Sequence, residues 1–120
     1  MATILIVDDA QTDRELLGKV VSGGGHVPAY ATDGEQALSR AKETRPALIF
    51  LDVVMPGANG FQTCRKLKQD PDTKGIPVVL VTSKGAESDR FWGQKQGADE
   101  HVAKPFTPQT ILDVLRRFVR

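Results

Sequence analysis

Charged and hydroxyl side chains follow the short apolar runs of this 120-residue sequence. They come directly after residues 4–7, 47–51, 78–81 and 101–103, and they are Asp8 and Asp9, Asp52, Thr82, and Lys104. Continuous apolar runs of this length are typical of strands that are buried on both faces. If these strands are parallel, their carboxyl ends meet at one edge of the sheet, so the side chains share one pocket.

Three carboxylates in one pocket indicate a site for a divalent cation. Asp8, Asp9 and Asp52 repel one another when all are ionised, and a hard cation relieves that repulsion. Mg²⁺ prefers oxygen ligands and keeps several of its waters. Lys104 adds a positive charge that suits a phosphate oxygen, and Thr82 adds a hydroxyl donor. The set predicts phosphoryl transfer to a carboxylate nucleophile.

The elements that position these residues alternate between strand and helix. We predict strands at residues 4–7, 26–31, 47–51, 78–81 and 100–103, with helices at 10–21, after an Asp33 cap, at 59–69, at 87–96, and after a Thr107 cap. This order predicts an α/β fold, a doubly wound five-stranded parallel sheet with helices on both faces. Pro28 favours an edge position for the second strand.

Composition limits the classes of function. We expect one domain over residues 1–120, because this length is typical of a single domain. The net charge of +1 indicates neither a nucleic-acid partner nor a membrane surface. Cys64 is the single cysteine, so no internal disulfide can form, and the absence of a signal peptide or long apolar stretch favours a cytoplasmic protein.

Five short motifs resemble the receiver domains of bacterial two-component response regulators. They are Val7-Asp8-Asp9, Leu51-Asp52 through Gly57, Asn59-Gly60, Val81-Thr82-Ser83 and Lys104-Pro105-Phe106. The resemblance covers residues 4–119 and implies the flavodoxin-like strand order 2-1-3-4-5. It also implies that Asp52 is the phosphoacceptor, that Asp9 binds Mg²⁺ directly and Asp8 mostly through water, and that the backbone carbonyl of Val54 is a further ligand.

The resemblance assigns roles to the remaining site residues as well. Thr82 is expected to sense the phosphoryl group, and Lys104 to bridge to it across a cis Lys104–Pro105 peptide. His101 stands where the family has its switch aromatic. The output surface is expected on the face formed by the predicted fourth helix at residues 87–96, the fifth strand at residues 100–103 and the last helix, which follows the Thr107 cap.

The predicted function is therefore a signalling switch, and not an enzyme beyond catalysing its own phosphorylation and dephosphorylation. Its expected partners are a histidine kinase and either a downstream protein target or a missing output domain. Residues 91–98 resemble the single-domain receivers of chemosensory pathways that control type IV pilus twitching motility. The alternative is a degenerate receiver that acts as a phosphorylation-independent binding module.

Two other classes fit the sequence less well. A haloacid-dehalogenase-like phosphatase also uses an aspartyl nucleophile, but it needs a second acid two residues later, where this chain has Val54. A DNA-binding protein needs a basic recognition helix, which the sequence lacks. Val54 also stands where many receivers carry a polar side chain, and Lys84, two residues after Thr82, could approach the phosphoryl oxygens. Both residues leave the lifetime of the phosphorylated state open.

Overall fold

The computed structural model describes residues 2–54, 59–82 and 96–119. Within them lie strands β1 (Thr3–Val7), β2 (Val27–Ala31), β3 (Leu48–Asp52), β4 (Val78–Thr82) and β5 (Glu100–Ala103). The helices described are α1 (Gln11–Gly23), α2 (Gly34–Thr44), α3 (Gly60–Gln69) and the C-terminal helix α4 (Pro108–Phe118). Residues 87–95 of the predicted fourth helix lie outside the described residues, as do Gly57, Ser83, Lys84 and Trp92.

All five strands belong to one parallel sheet in the order β2-β1-β3-β4-β5. This arrangement confirms the predicted fold and strand order. Strand β2 lies at one edge, as Pro28 predicted, and β5 lies at the other. The register pairs Val7 with Leu51 and Asp52 with Val81, so β1, β3 and β4 end at nearly the same level. The sheet therefore presents its carboxyl ends along one edge.

The core consists of two apolar layers, one on each face of the sheet. Alternate residues of β1 enter opposite layers, with Ile4 and Ile6 on one side and Leu5 and Val7 on the other. Helices α1 and α4 cover the first layer, while α2 and α3 cover the second. Burial on both faces explains why the inner strands β1, β3 and β4 are largely continuous apolar runs rather than alternating ones.

Side-chain caps fix where three helices begin. The Asp33 carboxylate accepts a hydrogen bond from the Gln36 amide at 2.8 Å, which confirms the predicted cap of α2. Asn59 and Gln62 form a reciprocal capping box at the start of α3. Thr107 caps α4 through the amide of Thr110. Among the described residues, no helix combines the length and apolar character that crossing a bilayer requires.

Helix α1 departs from its predicted pattern. It continues to Gly23, two residues beyond the predicted end, and Gly25 then takes a φ of +87°, which glycine adopts readily. Leu17 and Val21 are buried as expected. The sequence pattern puts Leu16 on the same side of the helix as Leu17 and Val21 and so predicts that it faces the core. That prediction is wrong, because 46% of the Leu16 surface is exposed. Gly18 is buried against Tyr30 instead, so the buried stripe is rotated away from Leu16.

Candidate functional site

Three aspartates converge at the carboxyl edge of the sheet. Asp8 and Asp9 follow β1, and Asp52 is the last residue of the neighbouring strand β3. One carboxylate oxygen from each of the three lies within 4.8 Å of the other two. The structure thus brings together the three carboxylates that the sequence predicted to share a pocket.

The three carboxylates differ in their access to solvent. Asp8 and Asp52 are only 1% and 6% exposed, whereas Asp9 is exposed. The Oδ1 atom of Asp8 accepts a hydrogen bond from the Ala10 amide at 2.9 Å. The Oδ1 atom of Asp52 accepts a longer one from the Val54 amide at 3.4 Å. The site therefore has a buried floor and one side that opens to water.

Burial raises the pKa of Asp52 from 3.8 to about 6. Removal from water is the main cause, because it disfavours the charged carboxylate, and the nearby Asp8 charge raises the pKa further. Lys104 and the Val54 amide oppose the shift without cancelling it. The carboxylate of Asp52 is thus unusually basic, because the positive charge in the pocket offsets only part of the effect of burial and of the Asp8 charge.

Lys104 brings a cation to the carboxylates. Its Nζ lies 3.0 Å from Asp8 Oδ2, 3.0 Å from Asp13 Oδ2 and 3.8 Å from Asp52 Oδ1. Burial disfavours the ammonium, yet hydrogen bonds to Asp13 and Asp8 outweigh that effect and raise the pKa of Lys104. The backbone supports this placement, since the Lys104 amide donates to the Thr82 carbonyl at 2.7 Å and the Lys104–Pro105 peptide is cis, as expected.

Thr82, His101 and Val54 take up positions that fit their predicted roles, although those roles remain predictions. Thr82 is the buried last residue of β4 and follows Val81, the register partner of Asp52. His101 is a partly buried residue of β5. Val54 follows Asp52 by two residues, and its apolar side chain offers the pocket no hydrogen-bonding group.

Two residues of the site were not predicted from the sequence. Asp13 lies in the first turn of α1 and pairs with Lys104. Arg14 Nη1 donates to the backbone carbonyl of Asp8 at 2.8 Å, which fixes the chain where β1 ends. They lie four and five residues after Asp9, and this spacing could have identified them. A helix that begins just after a strand end places its first turn at the same edge of the sheet.

A tight backbone approach shapes the loop beside Asp52. The Gly60 amide donates to the Val53 carbonyl at 2.7 Å. A Cβ atom at position 60 would lie 2.2 Å from the Asp52 carbonyl oxygen and 2.6 Å from the Val53 Cα. Only a residue without a side chain fits there, so Gly60 lets α3 begin directly against the end of β3.

The donor set fits a magnesium ion. All the side-chain ligands that the cluster offers are carboxylate oxygens, which Mg²⁺ prefers over nitrogen or sulfur. Burial, and to a lesser extent the nearby Asp8 charge, disfavours ionised Asp52 and raises its pKa, and a divalent cation would favour the ionised form. Exposed Asp9 leaves one side open for the waters that Mg²⁺ retains.

Comparisons with known proteins agree with this geometry. The family model described as the response regulator receiver domain matches residues 4–116. Protein PilH of Pseudomonas aeruginosa is 40% identical over 96% of this chain and 95% of its own length. The structure of chemotaxis protein CheY4 of Vibrio cholerae superimposes with a TM-score of 0.93, at 30% identity, over 99% of both chains.

A longer relative matches as well. The DNA-binding response regulator MtrA of Mycolicibacterium smegmatis is 40% identical over 98% of this chain, which spans 50% of the length of MtrA. The similarity to PilH and CheY4 confirms the resemblance to chemotaxis-like, pilus-type receivers. With its fold, its acidic edge and a family match over nearly its whole length, the chain belongs to the response regulator receiver domain family.

Proposed function

We propose that this protein is a phosphorylation-activated switch that accepts a phosphoryl group from a histidine kinase on Asp52 with the help of Mg²⁺. One observation carries the proposal. Three carboxylates and the Lys104 ammonium meet at one edge of the sheet in a chain of the receiver family. Asp8, Asp9, Asp52 and the backbone carbonyl of Val54 are the proposed metal ligands.

The chemistry requires an ionised Asp52. One of its carboxylate oxygens attacks phosphorus and forms the new O–P bond, while the N–P bond of the kinase phosphohistidine breaks and its electron pair returns to the imidazole. With a pKa of about 6, Asp52 is mostly ionised at neutral pH yet more basic than an ordinary aspartate. When bound, Mg²⁺ supplies positive charge that offsets the carboxylates and the incoming phosphoryl group.

Lys104 and Thr82 act on the product. The phosphoryl group adds a charge of about −1.5 to −2 at neutral pH and strong acceptor oxygens. The Lys104 ammonium, 3.8 Å from Asp52 Oδ1, is near enough to move onto one of these oxygens. The Thr82 hydroxyl would donate to another, and this movement is the proposed start of the conformational change.

The proposed output surface includes a cleft between β5 and α4. The cleft has a volume of about 430 Å³, and its lining includes Glu100, His101, Phe106, Val114 and Arg117. An ion pair between Arg117 and Glu100 crosses it. We propose that a partner protein reads this face and that His101 changes its packing on phosphorylation. A place in a pilus-type chemosensory pathway is part of the same proposal, which the similarity to PilH supports.

The degenerate-receiver alternative is not favoured. A binding module that no longer needs phosphorylation has no reason to keep two buried carboxylates and a lysine together, because burying them disfavours folding. Asp8, Asp52 and Lys104 are all present and in contact distance. A phosphatase of the haloacid dehalogenase type is also disfavoured, since Val54 replaces its second acid and the family match is to receivers.

Intact-mass spectrometry with a small phosphodonor tests the proposal. Wild-type protein incubated with acetyl phosphate and Mg²⁺ should gain the mass of one phosphoryl group, and a chelator should prevent the gain. Asp52→Asn should abolish it, whereas Asp113→Asn, which changes an exposed aspartate of α4, should not. A gain that persists in Asp52→Asn, or no gain in the wild type, would overturn the proposed function.

A further inference from the structure

Asp13 contacts the site without belonging to its carboxylate cluster. Its Oδ2 lies 3.0 Å from Lys104 Nζ, the same distance that separates Nζ from Asp8 Oδ2. The Asp13 side chain is 38% exposed, whereas that of Lys104 is 17% exposed. Among the described residues, the metal-type cluster comprises Asp8, Asp9 and Asp52 and leaves Asp13 out. Lys104 therefore has one partner inside the proposed metal site and one beside it.

We propose that Asp13 is a positioning residue that takes the Lys104 ammonium when Mg²⁺ enters the site and competes with the phosphoryl group for it afterwards. This inference rests on the proposed function. It assigns Asp13 a role at two stages. At the first, Asp13 favours binding of Mg²⁺, and at the second it opposes the contact between Lys104 and the phosphoryl group. Asp13 touches neither the metal nor the phosphoryl group and acts through Lys104.

The first stage follows from competition between cations. The Lys104 ammonium occupies Asp8 Oδ2 and lies 3.8 Å from Asp52 Oδ1, and both carboxylates are proposed metal ligands. A divalent cation bound there repels the ammonium. Asp13 is the partner that Lys104 can keep, so the displaced ammonium is not left unpaired. Neutralising Asp13 removes that partner and makes displacement of Lys104 less favourable.

At the second stage, Asp13 opposes binding of the phosphoryl group. To reach a phosphoryl oxygen on Asp52, Lys104 must give up its hydrogen bond to Asp13. Neutralising Asp13 removes this competitor and also one negative charge close to an incoming anion. A neutral residue at position 13 should thus weaken Mg²⁺ binding and, once Mg²⁺ is saturating, strengthen binding of a phosphoryl mimic.

A purely structural role for Asp13 predicts a different result. An acid in the first turn stabilises a helix through the partial positive charge of its N-terminus, and Asp13 occupies such a position in α1. If that were its whole contribution, neutralising it would lower the stability of the protein. Affinities for metal and mimic would then stay unchanged or fall together.

The test compares two affinities across four proteins: wild type, Asp13→Asn, Asp13→Glu and Glu15→Gln. Glu15→Gln is the matched control, because it removes one negative charge from the same helix at an exposed position that hydrogen-bonds Gln11 rather than the site. Mg²⁺ affinity is measured by NMR titration. Beryllofluoride affinity, as the mimic of a phosphoryl group, is then measured at saturating Mg²⁺.

We expect Asp13→Asn to weaken Mg²⁺ binding about 2- to 5-fold and to tighten beryllofluoride binding by about the same factor, as fits a partly exposed ion pair. Asp13→Glu should stay near the wild type, because it keeps the charge, and Glu15→Gln should shift neither affinity. If Asp13→Asn changes neither affinity, or weakens both, the inference is wrong. If the wild type gains no phosphoryl mass, both the proposed function and this inference are wrong. If the wild type gains the mass but Asp13→Asn does not show the expected affinity changes, only the inference is wrong.

Discussion

The Asp52 carboxylate occupies a pocket that disfavours its own charge. Removal from water and the neighbouring Asp8 both raise its pKa, to about 6. A group whose folded-state pKa lies above its unfolded value of 3.8 lowers stability once it is ionised. For an acid with a raised pKa, this loss of folding stability is absent below pH 3.8. It grows as the pH rises from 3.8 to about 6 and is complete above that.

Asp52→Asn should therefore stabilise the metal-free protein at neutral pH. Ionising a carboxyl group whose pKa rises from 3.8 to about 6 on folding costs about 3 kcal/mol, and a neutral amide avoids that loss. We expect the free energy of unfolding to increase by about 2–3 kcal/mol at pH 7.5, measured by urea denaturation with a chelator present.

The pH dependence separates this explanation from a general packing effect. The gain of Asp52→Asn over the wild type should shrink between pH 6 and pH 4 and vanish below that, whereas Asp113→Asn should show no such change. Added Mg²⁺ should stabilise the wild type more than the variant. A gain that is constant with pH, or a loss of stability at pH 7.5, would contradict the assigned cause.

The sequence predicted the site residues that stand at strand ends but not the two on helix α1. Asp8, Asp52 and Lys104 each follow an apolar run, and parallel strands bring such residues together whatever the details of packing. Asp13 lies four residues after Asp9, and its meeting with Lys104 depends on the direction in which α1 leaves the sheet. The strand pattern contains no information about that direction.

Helix α3 begins in close contact with the backbone of Asp52, the proposed phosphoacceptor. It begins at Gly60, whose absent side chain leaves room for the backbone of Asp52 and Val53. Any substitution at position 60 must push the start of α3 away from the end of β3. The position of Asp52 at the site therefore depends on Gly60, a residue without a side chain.

Gly60→Ala should impair both stability and phosphorylation. A Cβ atom 2.2 Å from the Asp52 carbonyl oxygen must displace backbone, and overpacking of this kind costs about 1–3 kcal/mol. Displacing the nucleophile should slow phosphorylation by acetyl phosphate at least ~10-fold. Urea denaturation and the time course of mass gain measure the two effects.

Gly75→Ala is the matched control for this prediction. A Cβ atom at position 75 would meet nothing within 4 Å, so its free energy of unfolding should stay within ~0.5 kcal/mol of the wild type. Its phosphorylation rate should not change. If Gly60→Ala behaved like Gly75→Ala, the close approach between α3 and β3 would not control the site.

The rotation of α1 illustrates why a helical face is harder to predict than a strand. Four apolar residues at positions 16, 17, 20 and 21 form a broad stripe, and the sequence does not say which edge of it enters the core. In the structure Gly18 is buried under Tyr30, which turns Leu17 and Val21 inward and leaves Leu16 exposed. The choice depends on a contact with β2, which is distant in sequence.

Over the whole molecule, the proposed switch connects the carboxylate edge to the surface of β5 and α4. Lys104 directly follows β5, the strand that contains His101, and its amide donates to the carbonyl of Thr82. A phosphoryl group that draws on Lys104 and Thr82 therefore acts on the ends of both β4 and β5. The cleft beside His101 is lined in part by the residues on either side of Lys104, so such a movement would change it.

Lys104→Ala should separate metal binding from this coupling. The variant loses the ammonium that occupies Asp8, so Mg²⁺ should still bind. Beryllofluoride should then produce NMR shift changes around Asp52 but weaker ones at His101 and Val114 than in the wild type. The comparison measures how far a change at the site reaches into β5 and α4.

Lys19→Ala is a suitable control, because it removes an exposed lysine from α1 and should leave both responses intact. Two results would contradict the role given to Lys104. One is the loss of Mg²⁺ binding with full beryllofluoride shifts at His101. The other is an absence of shift changes in β5 and α4 of the wild-type protein itself.

The strand order of the molecule was not available from the pattern of elements. Alternation of strands and helices predicts a parallel sheet with both faces covered, but several doubly wound orders satisfy that pattern. The order β2-β1-β3-β4-β5 came from the resemblance to receivers, and the structure confirms it. Pro28 supplied one physical clue, since it favours an edge strand, and β2 lies at an edge.

Chemical trapping of the phosphorylated residue tests the central claim most directly. An aspartyl phosphate is an acyl phosphate, and borohydride reduces it to an alcohol, so a phosphorylated Asp52 becomes homoserine. After treatment with acetyl phosphate, Mg²⁺ and borohydride, tandem mass spectrometry should find homoserine at position 52 in the tryptic peptide of residues 43–65. Homoserine at another aspartate, or none at position 52 in protein that has gained phosphoryl mass, would contradict the account.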